Sequence, residues 1–250
     1  MIYLYAVIDR PSAPIPATIG LCGAATDALQ YRDIAAVISP LTTTQIQATE
    51  DNLWRHEMVL EELMTDRSVL PVQFGAVFTD ELSALAVMDE RYADFAANLN
   101  RVRGRVELGL RALWDDPLAS SPDSQPSDDA VDGRAYMLDR VRKQRDLQAR
   151  RQEAEAFAET IHGSIARLAD ESGYRLQVSP SPYLNGAYLV KREAVATFRQ
   201  EVETLASTYP KLCLLCTGPW PPFSFVNGKQ TEDTEGNEKW RLQPTGSTSR

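Results

Sequence analysis

Histidine is the side chain that most readily shuttles protons or ligates metals near pH 7, and this chain has two, His56 and His162. Each falls on an expected helix with no catalytic partner close in sequence. A lone histidine on an apolar stripe reads first as a satisfied core or interface residue, and only second as a ligand or base. The sequence has no HExxH, no Walker A loop, no GxSxG and no GxGxxG, so the common zinc, phosphate and nucleophile motifs are missing. Gly20 and Gly23 alone do not make a phosphate cradle. Cys213-Leu-Leu-Cys216 is formally a CxxC. A redox CxxC opens a helix, which lowers the first thiol's pKa, whereas the leucines here read as a strand. Residues at that spacing in a strand point to opposite faces with Cα atoms about 10 Å apart, beyond disulfide reach. Buried structural thiols are therefore expected, and Cys22 completes no zinc set. Glu57, Glu61 and Glu62 read as the wet side of a helix. No catalytic, cofactor-binding or metal-binding residue is assigned.

Two segments could recognise a partner instead. Arg140, Arg142, Lys143, Arg145, Arg150 and Arg151 form a basic run on an otherwise acidic chain. It is either a solvated helix face or a dock for an acidic partner, or for the acidic segment just before it. Gly218-Pro-Trp-Pro-Pro-Phe-Ser-Phe-Val226 places three prolines within four positions. Such a run is expected to leave the last strand as a stiff, extended, polyproline-like arm, outside any sheet ladder. In an extended arm Phe223 and Phe225 share a side, and Trp220 adds apolar area. The arm either folds back onto its own core or presents aromatic anchors to a partner. The candidate interface residues are Trp220, Phe223, Phe225, Arg142 and Arg145.

The bulk composition agrees with a binding role outside nucleic acid. The chain has 250 residues, a net charge of -9, 43% hydrophobic and 24% charged residues. That is an ordinary globular balance, and an acidic chain repels a phosphate backbone. The N-terminus lacks a basic region and a small-residue cleavage site, and no stretch approaches the roughly 18 apolar residues of a membrane span. Three cysteines are too few for a disulfide scaffold. The expectation is a soluble cytoplasmic protein that does not enter a membrane.

The elements that would position these residues follow from periodicity. Strands are expected at Ile2–Ile8, with both faces apolar, and at Ile34–Ser39. A helix at Asp51–Asp66 carries the stripe Leu53, His56, Leu60, Leu63 and Met64, with Asp51 placed to cap it. Val69–Phe78 reads as a strand with an edge or bulge at Pro71 and Gly75. Helix follows over Asp80–Arg101, in one or two pieces, then a period-two strand over Val106–Ala112. Residues 115–133 hold six aspartates, three prolines and four serines without a basic or aromatic residue, the composition of an acidic flexible linker. A long helix over Arg134–Glu171 is expected next, with Ala154, Phe157, Ile161, Ile165 and Leu168 as its stripe and Gly173 near its C-cap. Strands at Tyr174–Val178 and Leu184–Lys191, a helix at Glu193–Ser207 and a strand at Lys211–Thr217 complete the pattern. The polar tail beyond Asn227 is expected to be mobile. The fold class is α+β, with two ferredoxin-like domains: an N-terminal domain 1–114, a linker 115–133, a C-terminal domain 134–217, and an arm and tail 218–250.

Thr217-Gly-Pro-Trp-Pro-Pro-Phe-Ser-Phe-Val226 resembles the C-terminal signature of the gas vesicle protein F/L family. Tyr3-Leu-Tyr-Ala-Val7 resembles the family's opening strand. Val69-Leu-Pro-Val-Gln-Phe-Gly-Ala-Val-Phe78 is similar to its LPVRFGTVF-like element, with Gln73 and Ala76 as departures, and Tyr188-Leu-Val190 resembles its late strand. The resemblance spans about residues 1–226. It implies two modified ferredoxin-like folds, no catalytic residues and no cofactor. It also implies a role in building gas vesicles, with the hydrophobic shell protein and other gas vesicle accessory proteins as partners. A ligand-binding or enzymatic protein on a ferredoxin-like fold is the alternative.

Overall fold

A computed structural model describes residues 1–12, 14–43, 45–114, 133–177, 183–226 and 241–244. The chain divides into two compact units. One comprises Met1–Glu107, Leu189–Arg192 and Gly218–Asp233; the other comprises Leu108–Tyr188, Glu193–Thr217 and Thr234–Arg250.

The first unit is built around β1 (Ile2–Asp9), which is buried along nearly its whole length, as its two apolar faces require. β2 (Asp27–Tyr31) and β3 (Ile34–Pro40) form a hairpin, and β3 pairs antiparallel with β1. On β1's other side lie β4 (Val69–Pro71) and β5 (Val77–Phe78), giving the order β2-β3-β1-β4 with β5 also on β1. The expected Val69–Phe78 strand is thus one strand broken in two. Val72 N–H reaches the Tyr5 carbonyl and Leu4 N–H the Ala76 carbonyl, both at 2.9 Å, while Gly75 turns between them at φ +99. β2 was not expected: Asp-Ala-Leu-Gln-Tyr has no β-branched residue, and its pairing with β3 alone makes it a strand.

Helix α1 (Glu50–Met64) packs His56, Val59, Leu60, Leu63 and Met64 inward. Its cap is Thr49, whose hydroxyl accepts the Asn52 N–H at 3.3 Å, and Asp51 sits inside the first turn instead. Leu53, expected on the buried stripe, is exposed. The helical stretch after residue 80 is two helices, α2 (Glu81–Glu90) and α3 (Tyr92–Val102), parted at Arg91. Met88, Phe95, Leu99 and Val102 close the core over Leu4, Val7, Ala36 and Ile38.

The second sheet contains β6 (Arg105–Trp114), β7 (Glu171–Gln177), β8 (Tyr183–Lys191), β9 (Leu212–Trp220) and β10 (Arg241–Pro244), in the order β10-β7-β8-β6-β9. Helix α4 (Gly133–Ala166) connects β6 to β7, and α5 (Val195–Thr208) connects β8 to β9. A single helical turn, α6 (Phe223–Val226), follows β9.

Several expectations need correction. α4 ends at Ala166, and Gly173 lies inside β7 opposite Leu242. β9 runs through Gly218, Pro219 and Trp220, where the prolines were expected to end the ladder. An edge strand tolerates a missing donor, and β9 is the last strand of its sheet. The tail is not all outside the fold, since residues 241–244 form β10. The linker at 115–132 lies outside the described residues. The compact units also cut the chain differently from the expected 1–114, 134–217 and 218–250, because 108–114 fall in the second unit and 189–192 and 218–226 in the first.

Candidate interaction surfaces

Both histidines are core residues, each tied to a tyrosine. In the first unit the Tyr3 hydroxyl lies 3.0 Å from His56 Nδ1 and accepts the Gly75 N–H at 3.0 Å. Either group can be the donor in the Tyr3–His56 contact, according to the imidazole tautomer. Nε2 is buried, with no hydrogen-bond partner among the described residues. Burial pulls His56 down to about 4, with the nearby Val72 backbone pulling the other way, and pushes Tyr3 up to about 12. Beside them Tyr5 stacks on the imidazole, lies 2.8 Å from Ser39 Oγ and accepts the Leu21 N–H at 2.8 Å. In the second unit His162 Nδ1 lies 3.0 Å from the Tyr188 hydroxyl, and Nε2 lies 3.5 Å from Ser172 Oγ. Burial lowers His162 to about 4 as well and raises Tyr188. Each imidazole is packed among aromatic rings with 1% of its surface exposed, which holds it in the neutral form.

The remaining reactive groups do not converge. Cys213 is exposed and Cys216 half-buried, so the buried thiols expected from the leucine-rich run are not found; β9 lies at a sheet edge and buries neither face fully. Glu57 is raised by burial and then by the charge of Glu61. Among the described residues no group of three or more His, Cys, Asp or Glu could hold a metal ion. Among the same residues no helix is long and apolar enough to cross a membrane.

The C-terminal segment folds back rather than standing out. Phe225 is 3% exposed and Val226 packs into the core of the first unit with Leu99 and Val102. Phe225 is therefore not a surface anchor, and Phe223 and Phe225 do not share the side of an extended arm, because the backbone there is helical. Ser224 is held by Glu107, and Arg101 donates to the Phe225 carbonyl at 2.7 Å. Phe223 is half-buried, and Trp220 keeps 42% of its surface exposed.

Two exposed apolar faces stand apart from these cores. On α1, Trp54 and Met58 sit one turn apart on the outer side, Trp54 58% exposed, with Leu53 beside them and Glu57 and Glu61 between. Sequence reading passed over Trp54 and Met58, although two large apolar residues at a four-residue step off the buried stripe are the signal that finds them. On α4, Met137, Leu138, Val141 and Leu147 are exposed among Arg140, Arg142, Lys143 and Arg145, which are exposed too. The sequence-picked cations Arg142 and Arg145 thus lie on a surface that is apolar as well as basic.

The chain is similar to known proteins. The family described as gas vesicle synthesis protein GvpL/GvpF matches residues 1–227. Gas vesicle protein F1 of Halobacterium salinarum (strain ATCC 700922 / JCM 11081 / NRC-1) is 24% identical over 230 residues, covering 90% of this chain and 92% of that one. Gas vesicle protein L of Streptomyces sp. (strain CB03234) is 26% identical over 261 residues, covering 96% and 97%. The crystal structure of the gas vesicle protein GvpF from Anabaena sp. PCC7120 superposes with a TM-score of 0.74 at 19% identity, covering 94% of this chain and 99% of that one. At that identity the superposition speaks for the mixed α/β fold alone. With the family match running from the first strand through the Pro-Trp-Pro-Pro segment, the chain belongs to the GvpL/GvpF family of gas vesicle proteins.

Proposed function

We propose that this chain is a non-catalytic accessory protein of gas vesicle formation that binds the hydrophobic shell protein and other vesicle proteins, acting in the cytoplasm at the growing vesicle. The observation that carries the reading is the outer face of α1, where Leu53, Trp54 and Met58 remain exposed beside Glu57, Glu61 and Glu62. A very apolar subunit needs an apolar contact to be held, and acidic flanks keep the pair in solution. Trp220 is a second candidate anchor by its exposure. The helix-strand order of the second sheet supports a ferredoxin-like reading: β6-α4-β7-β8-α5-β9 with β7-β8-β6-β9 side by side is a split βαβ pair.

The test is light scattering by purified shell protein diluted from denaturant, with and without this chain. Wild type delays aggregation, and Trp54→Ala with Met58→Ala removes the delay while circular dichroism stays unchanged. If the loss follows Trp220→Ala instead, the contact is the end of β9. No delay by wild type overturns the holding role.

A further inference from the structure

The outer face of α1 sets an apolar ridge among carboxylates that have no cationic partner among the described residues. At about 100° per residue, Trp54, Met58 and Glu61 point the same way to within roughly 60°, on the far side from the buried Val59 and Leu63. Glu57 lies about 60° to one side of Trp54 and Glu62 about 80° to the other, so carboxylates border the ridge on both sides. Arg55, on the same helix, is taken by Asp51 at 2.9 Å. Glu57 and Glu61 are like charges one turn apart, a pairing that costs a helix stability. Glu57 is half-buried, and burial first and the Glu61 charge second hold its carboxyl above the usual range. Among the described residues no cation lies over the Trp54 ring either. An indole face is the strongest aromatic partner for an ammonium or guanidinium. Ridge and border therefore call for the same thing, a cation beside an apolar group.

We infer that this face selects its partner by charge, docking an amphipathic helix whose apolar side is flanked by lysine or arginine. The inference rests on the reading above, in which the same face takes the shell protein, and it names the kind of segment the face accepts. Trp54 and Met58 form an i, i+4 ridge of the kind that packs into the groove of a second helix. The apolar side of that helix covers the ridge, and its cations reach Glu57, Glu61 and Glu62. Other occupants fit less well. A second α1 brings carboxylate onto carboxylate, and an anionic lipid surface or a phosphate backbone is repelled. The basic helix α4 of a second copy is separated by the test.

The experiment uses the full chain and three labelled helical peptides with one leucine core and lysine, glutamine or glutamate flanks, read by fluorescence anisotropy. Wild type binds the lysine peptide at least about fivefold more tightly than the glutamine one, and the glutamate one least. Glu57→Gln with Glu61→Gln abolishes that preference, and Glu57→Lys with Glu61→Lys turns it toward glutamate, with circular dichroism unchanged. Equal binding of the lysine and glutamine peptides by wild type overturns the inference, and so does a lysine preference that survives in the double glutamine variant. A wild-type dimer in sedimentation that Trp54→Ala with Met58→Ala dissolves also overturns it, because the face then belongs to a second copy. Failure of the shell-protein reading looks different. Trp54→Ala with Met58→Ala then leaves shell-protein aggregation as wild type does, whereas failure of charge selection alone leaves that delay sensitive to the two residues.

Discussion

Glu107 holds Ser224 twice, accepting its backbone N–H at 2.8 Å and its hydroxyl at 2.7 Å, across 117 positions of sequence. The carboxylate thereby caps the single turn α6. Burial raises the Glu107 pKa, and the two Ser224 bonds oppose that rise. Glu107→Ala leaves both Ser224 groups short of their acceptor and costs about 2 kcal/mol of stability. The first sign is faster amide exchange at Ser224, and Ser224→Ala, which removes the hydroxyl bond alone, has a smaller effect. Unchanged exchange in Glu107→Ala shows that α6 is held by its packing.

Phe225 and Trp220 separate structure from surface in the same short segment. Phe225→Ala opens a cavity and lowers the unfolding free energy by about 3 kcal/mol. Trp220→Ala, at a half-exposed site, lowers it by less than about 1 kcal/mol. Urea unfolding of the two variants checks this. Equal losses contradict the burial difference between them.

Gly20 is required by the tyrosine behind it. A Cβ there would lie 2.2 Å from the Tyr5 hydroxyl, which Ser39 and the Leu21 N–H hold in place. Gly20→Ala is expected to cost about 2 kcal/mol. Tyr5→Phe leaves the Leu21 N–H without its acceptor and costs a similar amount. Because the second change removes the atom the first collides with, the double variant loses less than the sum. Strict additivity counts against the collision.

Acid destabilises the fold through the two histidines. Their folded pKa values of about 4 lie below the unfolded value of about 6.5. The unfolded chain therefore binds protons first as pH falls. The stability contributed by neutral, buried imidazole is full above about pH 6.5 and is lost progressively down to about pH 4. Each histidine accounts for roughly 3 kcal/mol by this linkage. Unfolding measured from pH 7.5 to 4.5 shows the decline, and His162→Gln flattens it. An unaltered slope in that variant places the acid sensitivity on other groups.

Much of the architecture was legible in residue patterns. β1 was readable because seven consecutive apolar residues fit a strand buried on both faces, and α1 because its apolar residues repeat at three and four. The Gly75 break in the Val69–Phe78 strand was visible in its glycine. β2 was not, since four of its five residues, Asp-Ala-Leu-Gln, are not strand formers and its hairpin with β3 makes it one. The site was less legible than the fold. Trp220 was picked and is exposed, Phe225 was picked and is core, and Trp54 was passed over because it lies off the apolar stripe from which the helix was read.

By itself the sequence determined the mixed α/β class, the order of nearly all elements, the lack of familiar catalytic motifs and the family resemblance. These depend on local period and on short motifs, which neighbouring residues carry among themselves. Tertiary structure alone decided that residues 218–226 return to the first unit, that both histidines face a tyrosine hydroxyl, and that α4 outruns α5. Each of these is a pairing between residues far apart in the chain. Local periodicity says which face of an element is apolar, and only the assembled fold says what, if anything, lies over it.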